Sequence, residues 1–205
     1  MEKKKVEEMD IVFLLDRSGS MGGVVSDTIG GYNSYLRDNR NKPVRVTTVL
    51  FDDKYELLHD RVKIDEVNEL TDKEYFVRGC TALLDAIGKT IKYFDKKKSK
   101  KVMFIITTDG LENASREYSS SQIKEMITGH KDWEFIYIGA DIDSYKEGGS
   151  IGIKKSNIAS YKKDKKGIDK LYGSMSRLTS MFCEEDVIDC SWKVELDEYI
   201  KENGE

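Results

Sequence analysis

The stretch Ile11-Val-Phe-Leu-Leu-Asp-Arg-Ser-Gly-Ser20 decides the fold of this chain. Its first five residues are all apolar, which is typical of a strand that is buried on both faces of a sheet. Polar residues and a glycine follow directly, so the strand is predicted to end in a tight turn near Asp16. The stretch therefore predicts a central strand that carries oxygen-bearing side chains at its carboxyl end.

Strands and helices alternate along the rest of the chain. Apolar patterning predicts further strands at residues 44–50, 102–106, 135–138 and 157–160. Helices are predicted near residues 24–36, 83–94, 123–127 and 168–182, with a short one near residue 143. Residues 55–62 are predicted to return after a turn at residues 52–53 as an antiparallel edge strand. Helices between buried strands imply βαβ units, so the fold class is α/β with a mainly parallel sheet.

The length of 205 residues suits one domain. We expect a single domain over residues 1–205, with a core at about residues 10–182. Residues 183–205 have a weaker pattern. They are predicted to form a C-terminal appendage with a short extra strand and a terminal helix.

Composition and charge narrow the class of protein. The net charge of −4 gives no general attraction to nucleic acid or to an anionic membrane. The longest apolar run is far too short to cross a bilayer, and no secretory leader precedes it. A cytoplasmic protein, most simply a monomer, is therefore expected. The basic runs at residues 96–101 and 162–166 are interpreted as solvated ends of helices.

The three cysteines do not indicate a disulfide framework or a zinc site. Their number is odd, their spacing is irregular and no Cys-x-x-Cys pair occurs. Cys80 is expected to be a small buried residue. The sequon at Asn113 is interpreted as part of a polar loop.

Three oxygen-rich segments are expected to meet at one edge of the sheet. One follows the first strand, one follows the strand at residues 102–106, and one precedes the helix at residues 83–94. Ligands bind at the carboxyl ends of parallel strands, and hard cations such as Mg²⁺ and Mn²⁺ prefer oxygen ligands. The predicted metal ligands are Asp16, Ser18, Ser20, Thr81 and Asp109. Five side chains, some acting through water, leave one of six positions open.

A rim around this site is also expected. Its candidate residues are Arg17, Gly19, Asp52 and Gly110. Gly19 allows the loop to curl. Arg17 is expected to be an exposed loop residue, and the favoured interpretation of Asp52 is a solvated turn.

The order Asp-x-Ser-x-Ser, then Thr, then Asp resembles the metal-ion-dependent adhesion site (MIDAS) of von Willebrand factor type A (vWA) domains. The order of strands and helices is similar from about residue 10 to residue 182. The resemblance implies a doubly wound, mostly parallel six-stranded sheet with one antiparallel edge strand and helices on both faces. Among vWA proteins, the chain is most similar to compact, single-domain bacterial or phage members.

The resemblance also implies a role for each site residue. Asp16 anchors the metal, partly through water, and Ser18 and Ser20 bind it directly. Thr81 and Asp109 alternate between direct and water-mediated contact. The open position then accepts a Glu or Asp carboxylate from a partner protein.

The sequence is compatible with three functions. The favoured one is a protein-binding module without enzymatic activity that uses Mg²⁺, with Mn²⁺ or Ca²⁺ as alternatives. The second is a metal-assisted phosphatase or hydrolase with Asp16 as nucleophile, although Ser18 stands where an aspartyl-phosphate enzyme needs a second Asp. The third is a structural assembly protein in which the metal is incidental.

Overall fold

The protein is described by a computed structural model over residues 9–184 and 188–203. Its six strands form one sheet in the order β3-β2-β1-β4-β5-β6. They are β1 (Met9–Asp16), β2 (Val44–Phe51), β3 (Tyr55–Lys63), β4 (Val102–Thr108), β5 (Trp133–Gly139) and β6 (Ile158–Ser160). Only β3 is antiparallel to its neighbour among these strands. The α/β class and the antiparallel edge strand are confirmed.

Helices cover both faces of the sheet. They are α1 (Val25–Asp38), α2 (Leu83–Lys97), α3 (Ser120–Gly129), α4 (Ser144–Ser150), α5 (Lys165–Glu184) and α6 (Val194–Asn203). Each predicted helix is present within a few residues of its expected bounds. Ser119 caps α3 together with Gln122 in a reciprocal pair of hydrogen bonds.

The alternation of side chains along β1 divides the core into two halves. Phe13 points to one face and packs edge-on against Tyr32 and Tyr35 of α1, with ring centroids 5.4 and 4.9 Å apart. Leu14 points to the other face, where α2 and α3 supply the apolar contacts. Every residue of β1 is buried, so the continuous apolar run arises because this strand is covered from both sides.

The C-terminal segment contains the predicted terminal helix. Residues 188–203 contain a 3₁₀ turn (Cys190–Lys193) and α6, and no strand occurs among them. Residues 185–187 lie outside the described part. Trp192 and Leu196 are fully buried in the same core cluster as α1 and α5, so this segment packs into the core. The periodicity of α6 is weak because few of its positions face inward.

The strand order reverses direction between β1 and β4. Successive strands after β1 run outward to one side, and β4 then lies on the other side of β1. Such a reversal leaves a crevice at the carboxyl ends of the two central strands, where α/β proteins bind ligands. Asp16 ends β1, and Asp109 follows β4 directly. Across the described residues, no helix is both long and apolar enough to span a membrane.

Candidate metal centre

Asp16 is a buried carboxylate whose hydrogen bonds come from neutral groups. Its side chain accepts from the backbone N–H of Ser18 at 2.7 Å and from the hydroxyl of Thr108 at 2.6 Å. The hydroxyl of Tyr75 donates to its backbone carbonyl at 2.5 Å. The residue is 1% exposed, and no Lys or Arg of the described segments forms an ion pair with it. Burial raises the pKa of Asp16 to about 6, with repulsion from Asp109 adding to it and the hydrogen bonds from Thr108 and Ser18 opposing it.

Three side-chain oxygens form a row from the first loop to the end of β4. The hydroxyls of Ser18 and Ser20 are 3.1 Å apart, and that of Ser20 donates to Asp109 Oδ1 at 2.5 Å. The row therefore places three potential oxygen ligands next to one another.

Thr81 reaches the same place from the loop before α2. A Cβ atom added to Gly110 would lie 3.0 Å from Thr81 Oγ1 and 3.5 Å from Ser20 Oγ. Asn113 fixes the backbone of Thr81, because its side-chain oxygen accepts from the Thr81 N–H at 3.0 Å and its own N–H donates to the Thr81 carbonyl at 3.1 Å. The structure thus brings the predicted residues of all three segments to one edge of the sheet.

The chemistry of this donor set fits a hard divalent cation. It offers two buried carboxylates and three hydroxyls, and Asp16 has a buried negative charge that lacks a basic partner. Within residues 9–184 and 188–203, no three His, Cys, Asp or Glu side chains are grouped to hold a metal ion. A cation here would therefore depend on hydroxyl and water ligands, which Mg²⁺ accepts readily.

Sequence reasoning missed Lys163, which lies beside these oxygens. Its ammonium contacts Asp109 Oδ2 at 2.9 Å, Asp141 Oδ2 at 3.1 Å and the carbonyl of Ser20 at 3.2 Å. Burial lowers the pKa of Lys163, but its hydrogen bonds to the two carboxylates outweigh this, so the net shift is upward. The residue lies in the basic run interpreted as a solvated helix end. Its position just after a predicted strand was the available signal.

The rim residues Arg17 and Asp52 differ from expectation. Arg17 is fully buried rather than exposed, with Nε 2.9 Å from Asp52 Oδ2 and Nη2 2.7 Å from Glu56 Oε2. Asp52 is also fully buried, and it accepts a second hydrogen bond from Arg78 at 2.8 Å. The N–H of Arg17 bonds to the carbonyl of Phe51, so the first loop lies against the end of β2 and its arginine points inward. The two residues anchor the loop and do not line an open rim.

The other rim residues lie beside the oxygens as expected from their positions in the chain. Gly19 is exposed, and its N–H donates to the carbonyl of Gly79 at 3.3 Å. Gly110 is half-buried between Thr81 and Ser20. Cys80 is exposed, so the prediction that it is buried is wrong. The loop turns the side chain of Thr81 inward, and Cys80 is left on the outside.

Comparison with known proteins gives a family match over the first part of the chain. The model of the family described as "VWA domain containing CoxE-like protein" matches residues 1–130. This range includes all three oxygen-rich segments and ends before β5, so Lys163 lies outside it. A search of curated proteins found no match.

Solved structures share the fold at low sequence identity. The proximal thread matrix protein 1 of the mussel byssus aligns at a TM-score of 0.61 and 16% identity over 84% of this chain and 46% of its own. The ArnB paralog VWA2 of Sulfolobus acidocaldarius aligns at 0.62 and 19% over 83% and 44%. The pilus adhesin SpaC of Lactobacillus rhamnosus GG aligns at 0.67 and 14% over 85% and 30%. The chain thus spans about half the length of the first two structures and less of the third.

Proposed function

This chain belongs to the family of VWA domain containing CoxE-like proteins, and from this premise we propose that it is a metal-dependent protein-binding module. The proposed ligands of the metal are Asp16, Ser18, Ser20, Thr81 and Asp109. The proposed partner is a protein that presents a Glu or Asp carboxylate. A cytoplasmic location remains part of the proposal.

The burial of Asp16 is the observation that carries this proposal. An ionised carboxylate that accepts only neutral donors is costly inside a protein unless a cation compensates it. Asp109 brings a second carboxylate to the same edge, and the hydroxyls of Ser18 and Ser20 supply uncharged donors between them. When bound, Mg²⁺, Mn²⁺ or Ca²⁺ supplies an electrophilic position that accepts a carboxylate oxygen.

Two of the structural neighbours support a binding role. One is a thread matrix protein of the mussel byssus, and the other is a pilus adhesin. The proposal extends that kind of role to this chain and leaves the identity of the partner open.

The enzymatic alternative has one feature in its favour. Lys163 places an ammonium beside Asp109, where a general acid is useful. However, Ser18 stands where an aspartyl-phosphate enzyme needs a second carboxylate, and Lys163 is held by two acidic groups. We therefore propose that the chain is not an enzyme. Turnover of phosphoesters with Mg²⁺ present, abolished by Asp16→Asn, would contradict this.

Calorimetry with Mg²⁺ and Mn²⁺ tests the metal site. We expect one binding event in the wild-type protein and its loss in Asp109→Ala. Asp132→Ala is the matched control, because Asp132 is exposed at the opposite end of β5. Unchanged affinity in Asp109→Ala would refute the assignment.

A peptide array tests the partner class. Peptides that contain Glu or Asp are compared with matched peptides that contain Gln or Asn, each with Mg²⁺ or with EDTA. We expect binding that needs both the carboxylate and the metal. Binding that persists in EDTA would place recognition elsewhere on the surface.

A further inference from the structure

Lys163 brings a cation of the chain itself to the oxygens of the proposed metal site. It extends from the loop between β6 and α5, and its side chain is 24% exposed. Its ammonium makes three contacts, with Asp109 Oδ2, Asp141 Oδ2 and the carbonyl of Ser20. Two of these acceptors belong to residues of the proposed site.

Asp109 is therefore engaged at both carboxylate oxygens. Oδ1 accepts the hydroxyl of Ser20 at 2.5 Å, and Oδ2 accepts the ammonium of Lys163 at 2.9 Å. Two cations close to one carboxylate repel each other, and the repulsion is strong where water is largely excluded. Asp109 is 5% exposed. A divalent ion that approaches Ser20 and Asp109 thus meets the positive charge of Lys163.

Asp141 provides a second partner for the ammonium. Its side chain is 60% exposed, with Oδ2 3.1 Å from Lys163 Nζ. The backbone of Asp141, two residues after the end of β5, has a positive φ of 54°. A lysine side chain is long and has several rotatable bonds, so it can leave Asp109 while it stays with Asp141. The displaced ammonium would remain paired at the edge of the site.

We propose that Lys163 is an internal counter-ion that competes with the divalent metal for Asp109 and thereby weakens the metal affinity of the site. The inference rests on the proposed metal site. It assigns to Lys163 a positioning role toward Asp109 in the metal-free protein. Metal binding then requires the ammonium to move from Asp109 toward Asp141.

Calorimetric titration of Mg²⁺ into three lysine variants of the full chain tests the competition. Lys163→Met is expected to bind Mg²⁺ about tenfold more tightly than the wild type, because one positive charge near the ion is removed. Lys163→Arg keeps the charge and is expected to stay near the wild-type affinity. Lys165→Met is the matched control, since Lys165 is an exposed member of the same basic run and its loss changes the net charge equally.

Thermal unfolding in EDTA gives a readout that does not depend on the metal. Lys163→Met is expected to melt below the wild type, because Asp109 and Asp141 lose their shared cation. Added Mg²⁺ is expected to raise the melting temperature of Lys163→Met by more than that of the wild type. Equal shifts with Mg²⁺ in the two proteins would contradict the competition.

The outcomes separate this inference from the proposed function. Tighter binding in Lys163→Met alone supports the competition, and so does binding in Lys163→Met when the wild type shows none. Equal or weaker binding in Lys163→Met than in a binding-competent wild type overturns the competition and leaves the metal site intact. Absence of Mg²⁺ binding in every variant overturns the metal site and the competition together.

Discussion

At the scale of single residues, Asp16 shows how a site residue can lower the stability of the folded protein. Its carboxylate is buried and receives hydrogen bonds from Ser18 and Thr108, neither of which brings a charge. Sequences depart from the most stable choice mainly at functional sites. The raised pKa of Asp16 makes this cost measurable.

The pH dependence of stability follows from the sign of that shift. The pKa of Asp16 rises from 3.8 to about 6 on folding, so the folded state binds a proton more tightly than the unfolded state. The contribution of this group to stability is complete below pH 3.8 and is lost as the pH rises through about 6. We expect Asp16→Asn in EDTA to be more stable than the wild type by up to about 3 kcal/mol at pH 7.5 and by only about 1 kcal/mol at pH 4.5. Urea unfolding at the two pH values measures the difference.

Addition of Mg²⁺ is the control for the Asp16→Asn experiment. The wild type is expected to gain stability at pH 7.5, because the ion compensates the carboxylate, whereas Asp16→Asn gains none. An Asn variant that is less stable than the wild type in EDTA at pH 7.5 would mean that the buried charge is already compensated.

Single residues also show where sequence reasoning succeeds. The position of Asp16 and Asp109 at one edge of the sheet could be predicted, because Asp16 ends one buried strand and Asp109 directly follows another. The strand before Lys163 indicates the edge of the sheet at which it lies, but its contacts depend on how the loop after β6 crosses the end of the sheet. The burial of Arg17 could not be predicted, because no sequence pattern shows that it forms a buried ion pair with Asp52.

At the scale of elements, the loop between β4 and α3 is held to the start of α2 by two acidic side chains. Asp85 accepts three backbone N–H groups at 2.9–3.0 Å, from residues 116–118. Glu112 accepts the N–H of Leu84 at 2.9 Å. Tyr118 packs so closely on α2 that a Cβ atom at Gly88 would lie 2.7 Å from its ring. The loop carries Asn113, and therefore this attachment also positions Thr81.

Asp85→Ala tests that attachment. Loss of three hydrogen bonds to one carboxylate is expected to cost about 2 kcal/mol in urea unfolding. The affinity for Mg²⁺ is expected to fall several-fold as well, because Asn113 no longer holds Thr81 firmly. Calorimetry measures the second effect.

Asp95→Ala is the control on the same helix. Asp95 pairs with His130 near the surface, 2.7 Å from its Nε2, and surface pairs contribute about 0–1 kcal/mol. A loss of stability in Asp85→Ala with no loss of metal affinity would show that the loop and the proposed site are independent.

The order of the strands and helices was predictable, but the side-chain hydrogen bonds that connect them were not. Periodicity identifies α2 because the buried apolar residues Ile87, Ile91 and Phe94 recur at helical spacing. The same pattern does not predict the contacts of the Asp85 carboxylate, because polar residues are common at the start of a helix. Its three acceptor bonds come from residues about thirty positions later, and only the folded chain brings them together.

At the scale of the whole molecule, residues 188–203 close one end of the core. Trp192 is fully buried, and its indole N–H donates to the carbonyl of Ser156 at 3.1 Å. Lys193 bonds to the carbonyl of Lys155 at 3.0 Å. Lys162, next to the proposed counter-ion, donates to the carbonyl of Asn203 at 2.6 Å. The segment therefore contacts the residues just before β6 and the loop that follows this strand.

Trp192→Ala tests whether this segment unfolds together with the sheet. A buried tryptophan replaced by alanine is expected to cost about 3–5 kcal/mol, with one cooperative transition retained. Unfolding is followed by circular dichroism, which reports on the secondary structure of the whole chain, and by the fluorescence of Trp133, which reports on β5. Glu198→Ala is the control, because Glu198 is exposed on α6 and its loss is expected to change little. A cost below about 1 kcal/mol in Trp192→Ala would mean that the segment adds nothing to the core. A cost in the expected range with a single transition would show that the C-terminal segment unfolds together with the sheet.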